Sequence, residues 1–124
     1  MVHHYDLLHV SPPMSTDPAL ADNSDLVDEA GLLDVDKFSL RHVKYSNVFG
    51  IGDCTNVPTA KTAAAVAAQL RVLRKNLSAA LEGRDLPVAY DGYTSCPLVV
   101  SDRGCIMAEF DFQVPVLRIL RTAA

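Results

Sequence analysis

The sequence predicts an α/β fold that ends in a carboxyl-terminal β-hairpin. An apolar strand closed by glycine, Asn47–Gly52, is followed from about Thr59 to Glu82 by residues that are nearly all good helix formers. Two runs rich in β-forming residues, Ser95–Val100 and Cys105–Phe112, then flank a short Ser-Asp-Arg-Gly segment that is typical of a turn. A strand, a long helix and a hairpin therefore follow one another along the chain.

The long helix is the most sharply bounded of these elements. Gly83 follows it and is the residue expected just after a helix end. The first half, Thr62–Ala68, consists of small side chains, which let a neighbouring element or ligand approach the backbone closely. Arg71, Arg74 and Lys75 stand toward its carboxyl-terminal end, where cations suit the helix dipole.

The amino-terminal half is expected to consist of short elements. Tyr5–Val10 has the pattern of a buried strand that runs into the rigid Ser11-Pro12-Pro13 segment, because proline cannot continue a sheet ladder. Ser24 can cap a helical turn that Gly31 ends. The assignments are a loop at Met14–Asn23, a helical turn at Asp25–Ala30, and extended pieces at Leu32–Asp36 and Phe38–Val43.

Composition excludes several classes of protein. The chain is 49% hydrophobic and 21% charged, as globular domains are, and 15 acidic against 11 basic residues give a net charge of −4. Without a basic surface we expect no nucleic-acid binding, and no apolar run reaches the roughly 20 residues of a membrane span. The first residues have no apolar core of a signal peptide.

Cysteines and histidines give few further signals. Three cysteines cannot form a closed disulfide framework, which favours a reducing compartment, and Cys54 and Cys105 have the pattern of core residues. A turn centred on Asp102-Arg103 places Cys96 opposite Glu109, so no Cys96–Cys105 disulfide is expected. The four histidines lack the spacing of metal ligands, and we expect no metal.

The segment that joins the central strand to the long helix carries the strongest chemical signal. Asp53 follows Gly52 at the strand end, where a carboxylate can accept hydrogen bonds from ligand hydroxyls. Lys61 and Thr62 begin the helix, whose free N–H groups and positive dipole end suit an anionic or electron-rich ligand edge. The alternative is an ordinary strand-to-helix turn in which Asp53 is only a local cap.

Three motifs, in order, resemble a known enzyme family. Asn47–Gln69, NVFGIGDCTNVPTAKTAAAVAAQ, resembles the second FAD-binding motif of two-dinucleotide-domain flavoproteins. Together with YDLLHVSPPM at Tyr5–Met14 and YDGYTSCPLV at Tyr90–Val99, it resembles sulfide:quinone oxidoreductase of the animal mitochondrial type. The resemblance implies a partial Rossmann-like FAD/NAD(P)-binding flavoprotein fold that is incomplete as a stand-alone domain.

The resemblance also implies roles for individual residues. Gly52 and Asp53 correspond to the segment that binds the FAD ribityl chain, and Lys61 and Thr62 to the helix start beneath the flavin pyrimidine ring. Cys96 matches the second of two redox-active cysteines, and the motif that carries the first is not in this sequence. A Gly-x-Gly-x-x-Gly cradle for the FAD pyrophosphate does not occur either.

The implied activity is oxidation of hydrogen sulfide through a cysteine persulfide, with electrons passing via FAD to ubiquinone and the sulfur to a small acceptor. The family further implies the matrix side of the mitochondrial inner membrane, with peripheral contact through helices that this sequence does not contain. We expect a carboxyl-terminal fragment over residues 1–112, inactive alone, followed by an unsupported tail over 113–124. The alternative is a truncated, non-catalytic homologue or partner-binding fragment without bound flavin.

Overall fold

The computed structural model describes residues 2–12, 14–113 and 118–123. The two helices and three strands, in chain order, are α1 (Pro18–Ala21), α2 (Ala63–Leu81), β1 (Thr94–Ser101), β2 (Gly104–Phe110) and β3 (Arg118–Ala123). The strands form one antiparallel sheet in the order β1-β2-β3. The combination of helix and hairpin is confirmed, whereas the Rossmann-like fold stays a prediction: among the described residues the parallel pairing is limited to the isolated Leu33–Thr55 bridge.

Helix α2 begins where Thr62 caps it. Thr62 has extended backbone angles, φ −130° and ψ 155°, and its hydroxyl accepts the N–H of Ala65 at 3.1 Å. The helix therefore starts four residues later than the sequence predicts. It ends as predicted, because Gly83 adopts φ +67° just after the last turn, a conformation that glycine takes without a steric penalty.

The predicted hairpin is confirmed, with a one-residue difference in register. At the turn Ser101 pairs with Gly104, as the sequence predicts, but the register shifts between Val99 and Ser101. Val100 is the extra residue of this bulge, so Cys96 pairs with Ala108 and not with Glu109. In this register Cys105 pairs with Val99, so Cys96 and Cys105 are not cross-strand partners.

The segment beyond the hairpin differs from the predicted tail. Of residues 113–124, Arg118–Ala123 pair along β2 from Glu109 to Gly104 and form the third strand. The outer side of β2 is a row of backbone groups that need partners, and the Val-, Leu- and Ile-rich sequence that follows is suited to a strand. The division of the chain at residue 112 stays a prediction.

The first residues are not the predicted buried strand. Residues 2–12 form neither helix nor strand and are exposed, and Leu7 is 89% exposed. No described strand lies beside Tyr5–Val10, so this apolar segment has no sheet on which to form a ladder. The short helix α1 also lies inside the predicted loop, with Asp17 as its cap and Pro18 at its first position.

Between α1 and α2 the chain is held by isolated bridges and side-chain caps instead of strands. The predicted strand Asn47–Gly52 is not formed, and of its residues Phe49 makes an isolated bridge to Arg41. The predicted extended pieces likewise contribute single pairings: Val27–Leu33, Leu33–Thr55, Val35–His42 and Arg41–Phe49. The predicted helical turn at Asp25–Ala30 is a turn closed by Asp28, whose carboxylate accepts the N–H groups of Ala30 and Leu32. Such local caps satisfy the backbone without a helix or sheet.

The core lies between these loops and α2. Its buried apolar residues are Leu33, Val35, Leu40, Val57 and Tyr90. Asn76 of α2 is fully buried beside them, donating to the carbonyls of Ser39 and Val88 at 3.0 and 2.9 Å and accepting the Val88 N–H at 3.2 Å. One amide thus joins α2 to two separate loops.

Replacing Asn76 should therefore destabilise the chain strongly. Asn76→Ala leaves the backbone groups of the half-buried residues Val88 and Ser39 without these partners, and each lost partner costs about 1–3 kcal/mol. We expect the free energy of unfolding in urea to fall by at least about 2 kcal/mol. Asn47→Ala, at an exposed position, is the matched control and should change it little. Equal stability of the two variants would contradict this role.

Gly92 offers a second test. It lies at φ +92°, and an added Cβ would lie 2.7 Å from the Phe112 backbone nitrogen and closer still to the Phe112 ring. Gly83 shares the positive φ but has open space around it. Gly83→Ala should cost about 1 kcal/mol and Gly92→Ala clearly more, measured by urea unfolding. An equal loss of unfolding free energy in the two variants would show that the backbone angle alone, and not the contact with Phe112, matters at Gly92.

Candidate functional site

The loop that contains the Gly-Asp pair is fixed to α2 by a hydrogen bond from the Gly52 backbone to a side chain of the helix. Gly52 adopts φ +78°, and its N–H donates to the side-chain oxygen of Gln69 at 2.8 Å. Gln69 is only 2% exposed, so this bond is shielded from water. The Thr55 hydroxyl donates to the Gly52 carbonyl at 2.8 Å. The loop is thereby held against the first turns of the helix, as the small residues there allow.

The carboxylate of Asp53, the next residue of this loop, is available to a ligand. The residue is exposed, and its carboxylate takes part in none of the hydrogen bonds or ion pairs within the described part of the chain. The interpretation of Asp53 as a local cap therefore has no hydrogen bond to support it. A carboxylate on a fixed backbone is left to accept hydrogen bonds from a ligand.

Lys61 has a structural use in this arrangement. Its ammonium donates to the carbonyls of Thr55 and Val57, the latter at 3.3 Å, and so turns back toward the loop. Burial lowers the pKa of Lys61, and the nearby negative charges of Asp53 and Asp28 oppose that shift. The Lys61 side chain holds the segment before α2 in place. Only the charge and the backbone of Lys61 are then left to act on a ligand.

The start of α2 presents donors for an electron-rich group. The first four N–H groups of any helix lack acceptors within it. Here Thr62 accepts from Ala65 through its hydroxyl and from Val66 through its carbonyl, which leaves the N–H groups of Ala63 and Ala64. These two donors and the positive end of the dipole favour negative charge at this point.

Cys96 lies on the face of β1 that is turned toward the start of α2. Side chains alternate along a strand, so Cys96 shares its face with Thr94. The Thr94 hydroxyl lies 2.8 Å from the hydroxyl of Thr62. The Cys96 thiol is half-buried, and Cys54 and Cys105, predicted as core residues, are also half-buried rather than fully enclosed.

A concave pocket of about 250 Å³ lies between the segment before α2 and the beginning of the hairpin. Its lining residues are Pro58, Thr59, Ala60, Gly92, Thr94, Phe110 and Asp111. Thr94 and Phe110 are partners across β1 and β2, on the same face as Cys96. Sequence reasoning did not single out these two residues, although Thr94 stands two positions before Cys96 within the third motif.

The described residues show neither a metal centre nor a membrane helix. In residues 2–12, 14–113 and 118–123, no three His, Cys, Asp or Glu side chains are grouped so that they could hold a metal ion. None of the helices in this part of the chain is long and apolar enough to cross a bilayer.

The arrangement fits one edge of a flavin. An exposed carboxylate at Asp53 suits ribityl hydroxyls, and the uncapped N–H groups at the start of α2 suit the electron-rich edge of a flavin ring. A Cβ added at Gly52 would lie 3.3 Å from the Val66 side chain, so glycine allows this loop to lie close to α2. Nothing comparable suits a pyrophosphate, because the sequence has no Gly-x-Gly-x-x-Gly turn.

Comparisons with known proteins find close sequence relatives, although no family model matches. Mitochondrial sulfide:quinone oxidoreductase of Mus musculus is 54% identical over 108 residues, covering 87% of this chain and 24% of the relative. The protein of the same name from Dictyostelium discoideum is 49% identical over 109 residues, with coverages of 87% and 24%. That from Schizosaccharomyces pombe is 44% identical over 106 residues, with coverages of 86% and 23%.

A solved structure is similar as well. It is a chain in the cryo-EM structure of the Tetrahymena thermophila mitochondrial ATP synthase F1Fo composite tetramer, with a TM-score of 0.76 and 35% identity over 81% of this chain and 24% of that one. The resemblance predicted from the sequence is thus confirmed: the chain is related to the mitochondrial sulfide:quinone oxidoreductases and spans about a quarter of the length of these relatives.

Proposed function

We propose that this chain supplies the flavin-facing and thiol-bearing part of an FAD-dependent sulfide:quinone oxidoreductase. The observation that carries the proposal is the hydrogen bond between Thr62 and Thr94, at 2.8 Å. It joins the loop-and-helix unit that contains Asp53 to the strand that contains Cys96. A ligand-binding carboxylate, a helix start and a candidate redox thiol are therefore linked within one small region.

FAD would be held by the residues that the resemblance indicates. Asp53 would accept hydrogen bonds from the ribityl hydroxyls, Gly52 would allow the close approach, and the backbone at Lys61 and Thr62 would offer the helix start to the pyrimidine ring. When bound, the flavin supplies the acceptor for the electron pair that ubiquinone finally receives. The protein's own part is to place the ring and to favour negative charge at its edge.

Cys96 would carry the sulfur. Sulfide would attack the Cys96 sulfur of a disulfide or trisulfide that joins it to a second cysteine. The S–S bond at Cys96 breaks, Cys96 keeps the added sulfur as a persulfide, and the partner sulfur leaves as an anion whose electron pair the flavin would accept. A small acceptor then takes the outer sulfur and returns the Cys96 thiolate. A half-buried thiol in a fixed strand suits this use, since the backbone is held while the sulfur stays accessible to a small anion. The names of the three relatives support a mitochondrial location for this reaction.

Flavin binding by the chain alone tests the cofactor assignment. Because the proposed contacts are to the ribityl chain and the ring, and the sequence has no Gly-x-Gly-x-x-Gly cradle for the pyrophosphate, we expect weak binding, with riboflavin and FAD bound about equally well. Asp53→Ala should weaken both about tenfold or more, since a hydrogen bond to a charged acceptor contributes about 1.5–3 kcal/mol. Fluorescence titration measures this, and Asp85→Ala, also exposed, is the matched control. Unchanged affinity in Asp53→Ala would contradict the assignment.

The thiol assignment needs the remaining length of a relative. In a chimera where this chain replaces the matching 108 residues of the Mus musculus protein, Cys96→Ser should abolish reduction of the flavin by sulfide while FAD stays bound. Cys54→Ser and Cys105→Ser are the controls and should keep the activity. Turnover of sulfide by the Cys96→Ser chimera would remove Cys96 from the mechanism. A wild-type chimera without FAD and without activity would favour the non-catalytic alternative.

A further inference from the structure

The hydroxyl groups of Thr62 and Thr94 form part of a chain of hydrogen bonds with a fixed direction. Thr94 Oγ1 lies 3.3 Å from the carbonyl oxygen of Ala60, which can only accept a hydrogen bond. The Thr94 hydroxyl therefore donates its single proton to Ala60. The Thr62 hydroxyl must then donate to Thr94 at 2.8 Å, and it accepts the Ala65 N–H at 3.1 Å. Each hydroxyl therefore donates once and accepts once.

This hydrogen-bond chain lies at the junction of β1 and α2. Thr94 is 3% exposed and is the first residue of β1. Within the described part of the chain, the bond from Thr62 to Thr94 is the side-chain hydrogen bond that joins these two elements. The start of the strand is thus tied to the cap of the helix and, through Ala60, to the segment before it.

Cys96 follows two residues later on the same face of the strand. Two residues of an extended strand span about 6.6 Å, so the position of Thr94 sets the position of Cys96 relative to the start of α2. The neighbouring residue Ser95, on the opposite face, is 7% exposed, and its hydroxyl has no hydrogen-bond partner among the described residues. Of two adjacent buried hydroxyls, only that of Thr94 ties the strand to the helix.

From this geometry we infer that Thr94, acting through Thr62, is the positioning residue that holds the Cys96 thiol at a fixed distance from the flavin-binding end of α2. The inference rests on the proposed function for its chemical meaning. It deepens that function by naming the contact that couples the cofactor element to the thiol element. The physical claim, that this bond restrains Cys96, can be tested without flavin or sulfide.

The test is alkylation of the 124-residue chain with iodoacetamide, followed at each cysteine by mass spectrometry. Thr94→Val removes the hydroxyl and keeps the shape, so the start of β1 should open more often and Cys96 should react about two- to tenfold faster. Cys54, on the other side of the junction, reports general loosening and should keep its rate. Thr94→Ser, which retains the hydroxyl, should restore the wild-type rate at Cys96.

Ser95→Ala is the matched control, because it removes a buried hydroxyl that makes no hydrogen bond within the described part of the chain, and it should leave the Cys96 rate unchanged. Should Thr94→Val fail to fold, Thr62→Val breaks the same bond from the helix side and should accelerate Cys96 in the same way. When both single variants fold, the double variant should be no faster at Cys96 than either one.

Several results would overturn the inference: an unchanged Cys96 rate in the folded valine variants, equal acceleration by Ser95→Ala, no rescue by Thr94→Ser, or parallel acceleration at Cys54. The result is separable from the proposed function. A chain that binds no flavin, yet shows the selective acceleration, refutes the cofactor assignment and leaves the restraint on Cys96 in place.

Discussion

The attachment of α2 through two buried amide side chains is the constraint on which the rest of the structure depends. Gln69 accepts the N–H of Gly52, and Asn76, seven residues on and so on the same helix face, binds the segments at Ser39 and Val88. The buried residues of α2 are Ala65, Gln69, Asn76 and Ala79, while Leu70, Leu77 and Leu81 are exposed. The two amides fix the helix to the loops through hydrogen bonds, while Ala68 and Val72 of α2 pack against the core.

The candidate site inherits its geometry from that attachment. The Gly52 N–H is held by Gln69, so the backbone before Asp53 cannot drift from the helix. Lys61 then pins the segment between the loop and the helix start by binding two of its carbonyls. A carboxylate and a helix end are thereby fixed relative to each other through contacts made by neighbouring side chains, so that both remain available to a ligand.

The elements that could be predicted from the sequence are those with local signals. Helix α2 follows from helix formers ended by Gly83, and the hairpin follows from two β-rich runs around a turn. The loops between α1 and α2 could not be predicted, because single bridges such as Leu33–Thr55 join residues far apart in sequence. At the site, the motifs indicated Asp53 and Cys96. The Thr62–Thr94 bond joins two residues that are 32 positions apart in the sequence, and no pattern within either segment predicts it.

The bulge at Val100 decides which charge stands beside the thiol. In a regular ladder, with Val100 paired to Cys105, Cys96 would face Glu109 across the hairpin, and a neighbouring carboxylate disfavours the thiolate that sulfur chemistry requires. With the bulge, Ala108 stands opposite Cys96, and Glu109 lies on the other face, where it accepts a hydrogen bond from the Tyr93 hydroxyl at 2.6 Å. A substitution that lets Val100 rejoin the ladder would exchange these two environments. An irregularity beside a solvent-exposed turn therefore controls the electrostatic surroundings of a candidate nucleophile at the far end of its strand.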